Sequence, residues 1–270
     1  MKTISDFFQL DRFNISPANI TQMVFHCVPE IIQPDVILMP YWQPEVFGEW
    51  VDRITIISDH LLYEFEYKGK KISVVRSGIG APQAGDAVLA LGFTACERLL
   101  FAGSVGGLQP NIQIGDLMMP EFSYSGDGFC RYLETEAPKV DCFLERILPD
   151  KALSSILLSS ASLLAIEAGI AIHTGPVYCI DSILSQFRLL DYFSGELGCI
   201  GIEMETAAVF KAARKVGIQA AALFSVSDVP VMKRTLYAGR SSEERNRRIQ
   251  IRANVLAKAV LDCLDSFPMD

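Results

Sequence analysis

The sequence predicts a single α/β domain built on a mixed sheet, and three observations carry that expectation. From Asp35 onward, short apolar runs alternate with amphipathic stretches long enough to be helices. Two of the apolar runs lead straight into glycine-rich segments, the usual strand-to-helix connections of such folds. A period-2 pattern on both sides of Lys68-Gly69 marks a hairpin, which puts antiparallel strands into an otherwise parallel arrangement.

Taken in order, residues 1–35 read as an irregular N-terminal segment, because Pro17, Pro29 and Pro34 break any long helix. The α/β domain is placed at 36–270. VILMP (36–40) and ITII (54–57) read as strands, and 61–75 as the hairpin. Ile72–Arg76 runs into the turn Ser77-Gly78-Ile79-Gly80-Ala81-Pro82, followed by a helix whose apolar stripe continues to Cys96 and Leu99. LLFAG (99–103) is a strand ending in a second glycine turn, Ser104-Val105-Gly106-Gly107. GDLMMP (115–120) and PVYCI (176–180) are strands on either side of a long buried helix at about 150–168. A helix over 203–216 stops at Gly217, a residue suited to the left-handed position after a helix. AAALFSVS (220–227) ends at Asp228, and a last helix starts near Ser242 with Glu243 and Glu244 in its first turn.

Composition narrows the function classes. A net charge of −8 with a pI near 5.0 argues against a nucleic-acid surface, which needs a basic face to displace counterions. The N-terminus lacks a charged segment followed by an apolar one, and the apolar stretch 152–169 carries five serines and Glu167, so neither a secretory signal nor a membrane span is expected. The seven cysteines include no CxxC pair, which fits reduced core thiols in a cytoplasmic protein and no metal site.

Three polar clusters fall where strands end, the rim on which α/β sheets bind ligands. Glycine in the two turns lets backbone N–H groups approach an anion, with Ser77 and Ser104 adding hydroxyls. Tight connections alone would also explain them. The third cluster is Ile202-Glu203-Met204-Glu205-Thr206, whose acids could favour a helix N-terminus or grip a sugar diol in bidentate fashion. Asp228, at the end of a strongly apolar strand, could cap a turn or hold a proton near neutral pH as a general acid.

Together, Ser77-Gly-Ile-Gly-Ala-Pro82, Gly103-Ser-Val-Gly-Gly-Leu-Gln-Pro-Asn-Ile-Gln-Ile-Gly-Asp116, Ile202-Glu-Met-Glu-Thr-Ala-Ala208 and Ser227-Asp228 occur in the order seen in the nucleoside phosphorylase and nucleosidase superfamily, which the chain resembles over residues 72–230. The resemblance implies a three-layer α/β/α sandwich that forms dimers, trimers or hexamers and cleaves the N-glycosidic bond of a nucleoside. It places the ribose hydroxyls on Glu205, with Glu203 and Met204 beside the sugar. It makes Asp228 the acid that protonates a departing purine, with Gly106 at the base. Ser104 and Gly80 match the phosphate or nucleophile site. No cofactor is implied, only inorganic phosphate as co-substrate if the chain is a phosphorylase.

Several positions depart from that pattern. Pro40-Tyr41-Trp42-Gln43-Pro44 replaces the family's Gly-Asp-Pro-x-Arg loop, Phe101 stands where an arginine is usual, and Gln83 replaces a serine. Arg76 is then the candidate cation for phosphate. Gln186-Phe187-Arg188 is similar to the pair that reads uracil in uridine phosphorylases, whereas Asp228 points to purines. The leading expectation is phosphorolysis of a purine nucleoside to free base and ribose 1-phosphate. Hydrolysis of a nucleotide or methylthio nucleoside, uridine phosphorolysis and a silent nucleoside-binding protein are the alternatives.

Overall fold

A computed structural model describes residues 4–134 and 141–268. The strands are β1 (Asp35–Met39), β2 (Arg53–Ser58), β3 (Leu62–Tyr67), β4 (Lys70–Arg76), β5 (Arg98–Gly107), β6 (Leu117–Gly126), β7 (Arg146–Ile147), β8 (Ile172–Ile180), β9 (Gly201–Glu203) and β10 (Gln219–Asp228). The helices are α1 (Ile4–Phe8), α2 (Pro17–Phe25), α3 (Ala81–Leu91), α4 (Lys151–Ala168), α5 (Thr206–Val216), α6 (Ser242–Ile251) and α7 (Ala257–Asp265). The sheet is mixed. Its order runs β2-β3-β4-β1-β5 and then turns back on itself, because β5 pairs with both β9 and β10 while β6 joins β10 to β8 and β8 joins β9. The hairpin is as expected, with Lys68 and Gly69 both at positive φ in its two-residue turn.

Helices cover both faces. Phe25 of α2, the Ala84-Ala87-Val88-Leu91 stripe of α3 and Ala207–Ala213 of α5 pack with Phe101 and Phe224 in one core. Leu153, Leu157 and Ala161 of α4 join α7 and the other face of β1, β3 and β4 in a second. The three-layer α/β/α arrangement is therefore present.

The structure corrects four local expectations. Residues 4–35 are not irregular throughout: Pro17 occupies the first turn of α2 instead of breaking it, and Ser16 and Asn19 form a reciprocal capping box. The stripe beyond Gly92 is not helical, since α3 ends at Leu91. Residues 104–107 are not a turn but the continuation of β5. Here glycine serves close packing: a Cβ on Gly107 would lie 2.8 Å from Ile112 Cγ2. Helix α4 is not buried, because it lies on the outside and covers α7 and β10 with one stripe, leaving Leu163 and Ile166 exposed. By length and composition alone it could cross a bilayer, but that stripe is packed on the domain.

One buried ion cluster fastens the middle of the sheet. Asp35 on β1 meets Lys70 on β4 and Arg98 on β5, each at 2.5 Å, and its side chain is 2% exposed. Lys70 also donates to the carbonyls of Leu264 and Phe267, so the same ammonium holds the chain end after α7. Removing the anion strands a buried cation, a change worth about 3–5 kcal/mol in comparable pairs. Asp35→Asn is expected to lower the unfolding free energy by that amount, read as a lower urea midpoint with an unchanged slope. An unaltered midpoint would mean that the cluster adds nothing to stability.

Candidate active site

The residues that matter converge because β5 ends without side chains. Gly106 pairs with Ile202 of β9 on one side and with Asp228 of β10 on the other. A β-bulge between Val226 and Asp228 inserts Ser227 and re-aims the acid. A Cβ on Gly106 would sit 3.2 Å from Ile202 Cγ2 and 3.5 Å from Asp228 Oδ1, so a side chain there would require Ile202 to shift by a few tenths of an ångström. Above this strand end lies a cleft of about 300 Å³. Ser104, Gly106 and Ile202 line it together with Met204 and Glu205, while Asp228, Leu236, Arg248 and Arg252 come from the later part of the chain.

The two acids of the Glu-Met-Glu segment do different work. Glu203 belongs to β9, not to a helix as the sequence suggested, and α5 begins only at Thr206. Its carboxylate accepts the N–H groups of Glu205 and Thr206 at 2.8 Å each and the Thr206 hydroxyl at 2.7 Å. Glu203 therefore closes the N-terminus of α5 while it also lines the cleft beside Met204 and Glu205. Glu205 accepts the N–H of Gly80 at 2.7 Å, and the Met204 backbone N–H also favours its charged form. Burial pushes both carboxyls above the ordinary range, and the charge of Glu205 raises Glu203 further.

Gly80 is held at φ +105 in a turn that glycine alone tolerates well. Its N–H, expected at an anion, instead orients the Glu205 carboxylate. Asp228 is 3% exposed. It accepts the Ser227 hydroxyl at 2.7 Å and the Leu236 N–H at 3.3 Å. Burial raises its pKa despite these donors and the cations Arg240 and Arg248. A carboxyl so placed can carry a proton to a leaving group.

Other assignments divide. Ser104, Met204 and Gly106 line the cleft as expected. Gln186 is buried in its wall, but Arg188 is exposed and does not line it, so the Gln-x-Arg pair is split by the short 3-10 turn that carries it. Arg76 is not at the cleft either. Its guanidinium donates to the backbone carbonyls of Trp42, His60 and Tyr41 at 2.9, 3.1 and 3.3 Å, tying down the loop after β1. Phe101 is fully buried, edge-on to Phe224. What the sequence reading missed is the pair Arg248 and Arg252, four residues apart and so on one helical face.

The chain matches the family described as the phosphorylase superfamily over residues 47–265. It is 26% identical over 220 residues to a DeoD-type purine nucleoside phosphorylase of Mycoplasma genitalium, covering 80% of this chain and 87% of the relative. Its fold is similar to that of the uridine phosphorylase from Vibrio fischeri, with a TM-score of 0.71, 22% identity and coverage of 87% and 93%. It is also similar to the Campylobacter jejuni 5′-methylthioadenosine/S-adenosyl homocysteine nucleosidase, with a TM-score of 0.66, 20% identity and coverage of 87% and 100%. Phosphorylases and nucleosidases thus share this architecture, and the match over most of its length shows that the chain belongs to the phosphorylase superfamily.

Proposed function

We propose that the protein cleaves the N-glycosidic bond of a purine nucleoside by phosphorolysis. The observation that carries this reading is the juxtaposition across Gly106 of a buried acid, Asp228, whose pKa burial raises, with Glu205, preset by the Gly80 N–H. In this reading Glu205 accepts the two ribose hydroxyls and Met204 packs against the sugar. As the C1′–N9 bond breaks, its electron pair passes to the base, and Asp228 donates its proton to the purine N7. Phosphate oxygen then bonds C1′ of the oxocarbenium-like sugar, giving free base and pentose 1-phosphate. Stabilising that developing charge separation is the main task of the site.

The base assignment favours purine over uracil because Asp228 faces the cleft and Arg188 does not. The DeoD-type relative from Mycoplasma genitalium, named for purine nucleosides, supports it. Hydrolysis is the second reading. It is favoured by the commitment of Arg76 to carbonyls and by the burial of Phe101, which leave the family's phosphate-binding arginines without direct replacement.

Asp228→Asn is expected to slow purine release by about 10²–10⁴, the usual contribution of a general acid. Glu205→Gln should raise KM and lower kcat with the fold retained. The pH dependence of kcat/KM should fall on the acid side as Glu205 takes a proton and on the alkaline side as Asp228 loses one. Burial raises both groups, so the acid limb lies closer to neutrality than an exposed glutamate would put it. An alkaline limb that survives unchanged in Asp228→Asn removes the acid assignment.

Products formed from inosine, adenosine and uridine, with and without phosphate, test the rest. Pentose 1-phosphate appearing only with phosphate, and purines turning over faster than uridine, is the expected result. Equal base release and free ribose without phosphate would establish hydrolysis.

A further inference from the structure

Arg248 and Arg252 project from the C-terminal helix into the cleft, and neither has an acceptor among the described residues. The Nε atom of each is buried without a hydrogen-bond partner. Arg252 instead lies over the Trp42 ring, 5.1 Å from its centroid, while Arg76 holds the Trp42 carbonyl. The helix is wound as a π turn over Arg252–Leu256, and the Ala253 carbonyl there accepts the Trp50 indole N–H at 2.7 Å. The Trp42 ring thus packs against the Arg252 guanidinium, and the Trp50 bond anchors the helix turn that carries it.

Two half-buried guanidinium groups near one another repel, and an anion between them offsets that repulsion. Burial and the charges of Arg240 and Arg252 push Arg248 down to about 10, and burial lowers Arg252 as well. The chain has 32 acids against 24 basic residues, and Arg247 on the same helix does approach one, Asp116, at 3.6 Å. The acid that faces Arg248 in the cleft is the buried Asp228, which gives neither Arg248 nor Arg252 a hydrogen bond.

We infer that Arg248 and Arg252 form a subsite for a phosphate-type oxyanion at the Trp42 side of the cleft. Guanidinium forks suit such tetrahedral oxyanions because each can offer two parallel N–H groups. Two sources carry this chemistry: inorganic phosphate, or a phosphate group borne by the nucleoside's sugar. The inference deepens the reading of the cleft as a nucleoside site and supplies the cations that Arg76 and Phe101 do not.

Calorimetric titration tests it without relying on turnover. Inorganic phosphate, adenosine 5′-monophosphate and adenosine are titrated into wild type, Arg248→Gln, Arg252→Gln and the double variant at constant ionic strength. Loss of one charged hydrogen bond should weaken the anion by about 10- to 100-fold. Weakening of inorganic phosphate alone assigns the subsite to the co-substrate. Weakening of the monophosphate, with adenosine and inorganic phosphate unaffected, assigns it to the substrate's own phosphate. Thermal unfolding is the second readout: wild type should gain melting temperature with whichever anion binds, and the double variant should not. If base release fails for every nucleoside while the anion still binds through these arginines, the subsite stands and the glycosidic reading falls. Failure of wild type to bind either anion, or equal binding by the double variant, overturns the inference.

Discussion

The absence of a side chain at Gly106 is what the rest of the site depends on. Strand β5 pairs there with β9 and β10 at once, one antiparallel and one parallel, and the two partners deliver the Glu203–Glu205 segment and Asp228. Any Cβ would press on Ile202 and approach the Asp228 carboxylate. The neighbouring pair Gly107 and Gly201 extends the constraint, since a Cβ on Gly201 would lie 2.4 Å from the Met118 sulfur and 2.8 Å from Val105 Cγ2. Backbone pairing fixed in this way sets the separation of the two acids more rigidly than a loop could.

Burial then gives the acids their different characters. Glu203 accepts three donors at the start of α5 and so holds the turn that presents Met204 and Glu205. Glu205 is tied to the Gly80 N–H and lines the cleft. Asp228 is held by donors too weakly to cancel its desolvation, and its pKa stays raised. The cleft thus holds two separate carboxyls, Glu205 and Asp228, and burial raises both.

Much of this was legible in the sequence, and what was not has physical causes. The order of strands and helices, the hairpin and the end of α5 at Gly217 followed from periodicity and glycine. The segment 104–107 was misread as a turn because glycine signals both sharp bends and close strand packing, and only the partners β9 and β10 distinguish the two. Glu203 looked like a helical residue because an acid that caps a helix from the preceding strand has the same sequence signature as one in its first turn. Arg76 looked available because its three acceptors are backbone carbonyls of residues 41, 42 and 60, which no side-chain pattern reports.

Arg248 and Arg252 were illegible for a related reason. Their spacing in the C-terminal segment marks one helical face, but that face could equally have met solvent. Its meaning comes from the loop after β1, where Trp42 replaces what the family would fill with an arginine loop and offers a ring to Arg252. Arg76 anchors that loop through its carbonyls, so the cation nearest in sequence to the first glycine turn acts at one remove. The family resemblance places positive charge on β5 and the β1 loop, and in this chain those positions hold Phe101, committed to the core, and Trp42. The positive charge that lines the cleft comes instead from the C-terminal helix, and Trp42 in the aromatic loop lies against one of its arginines.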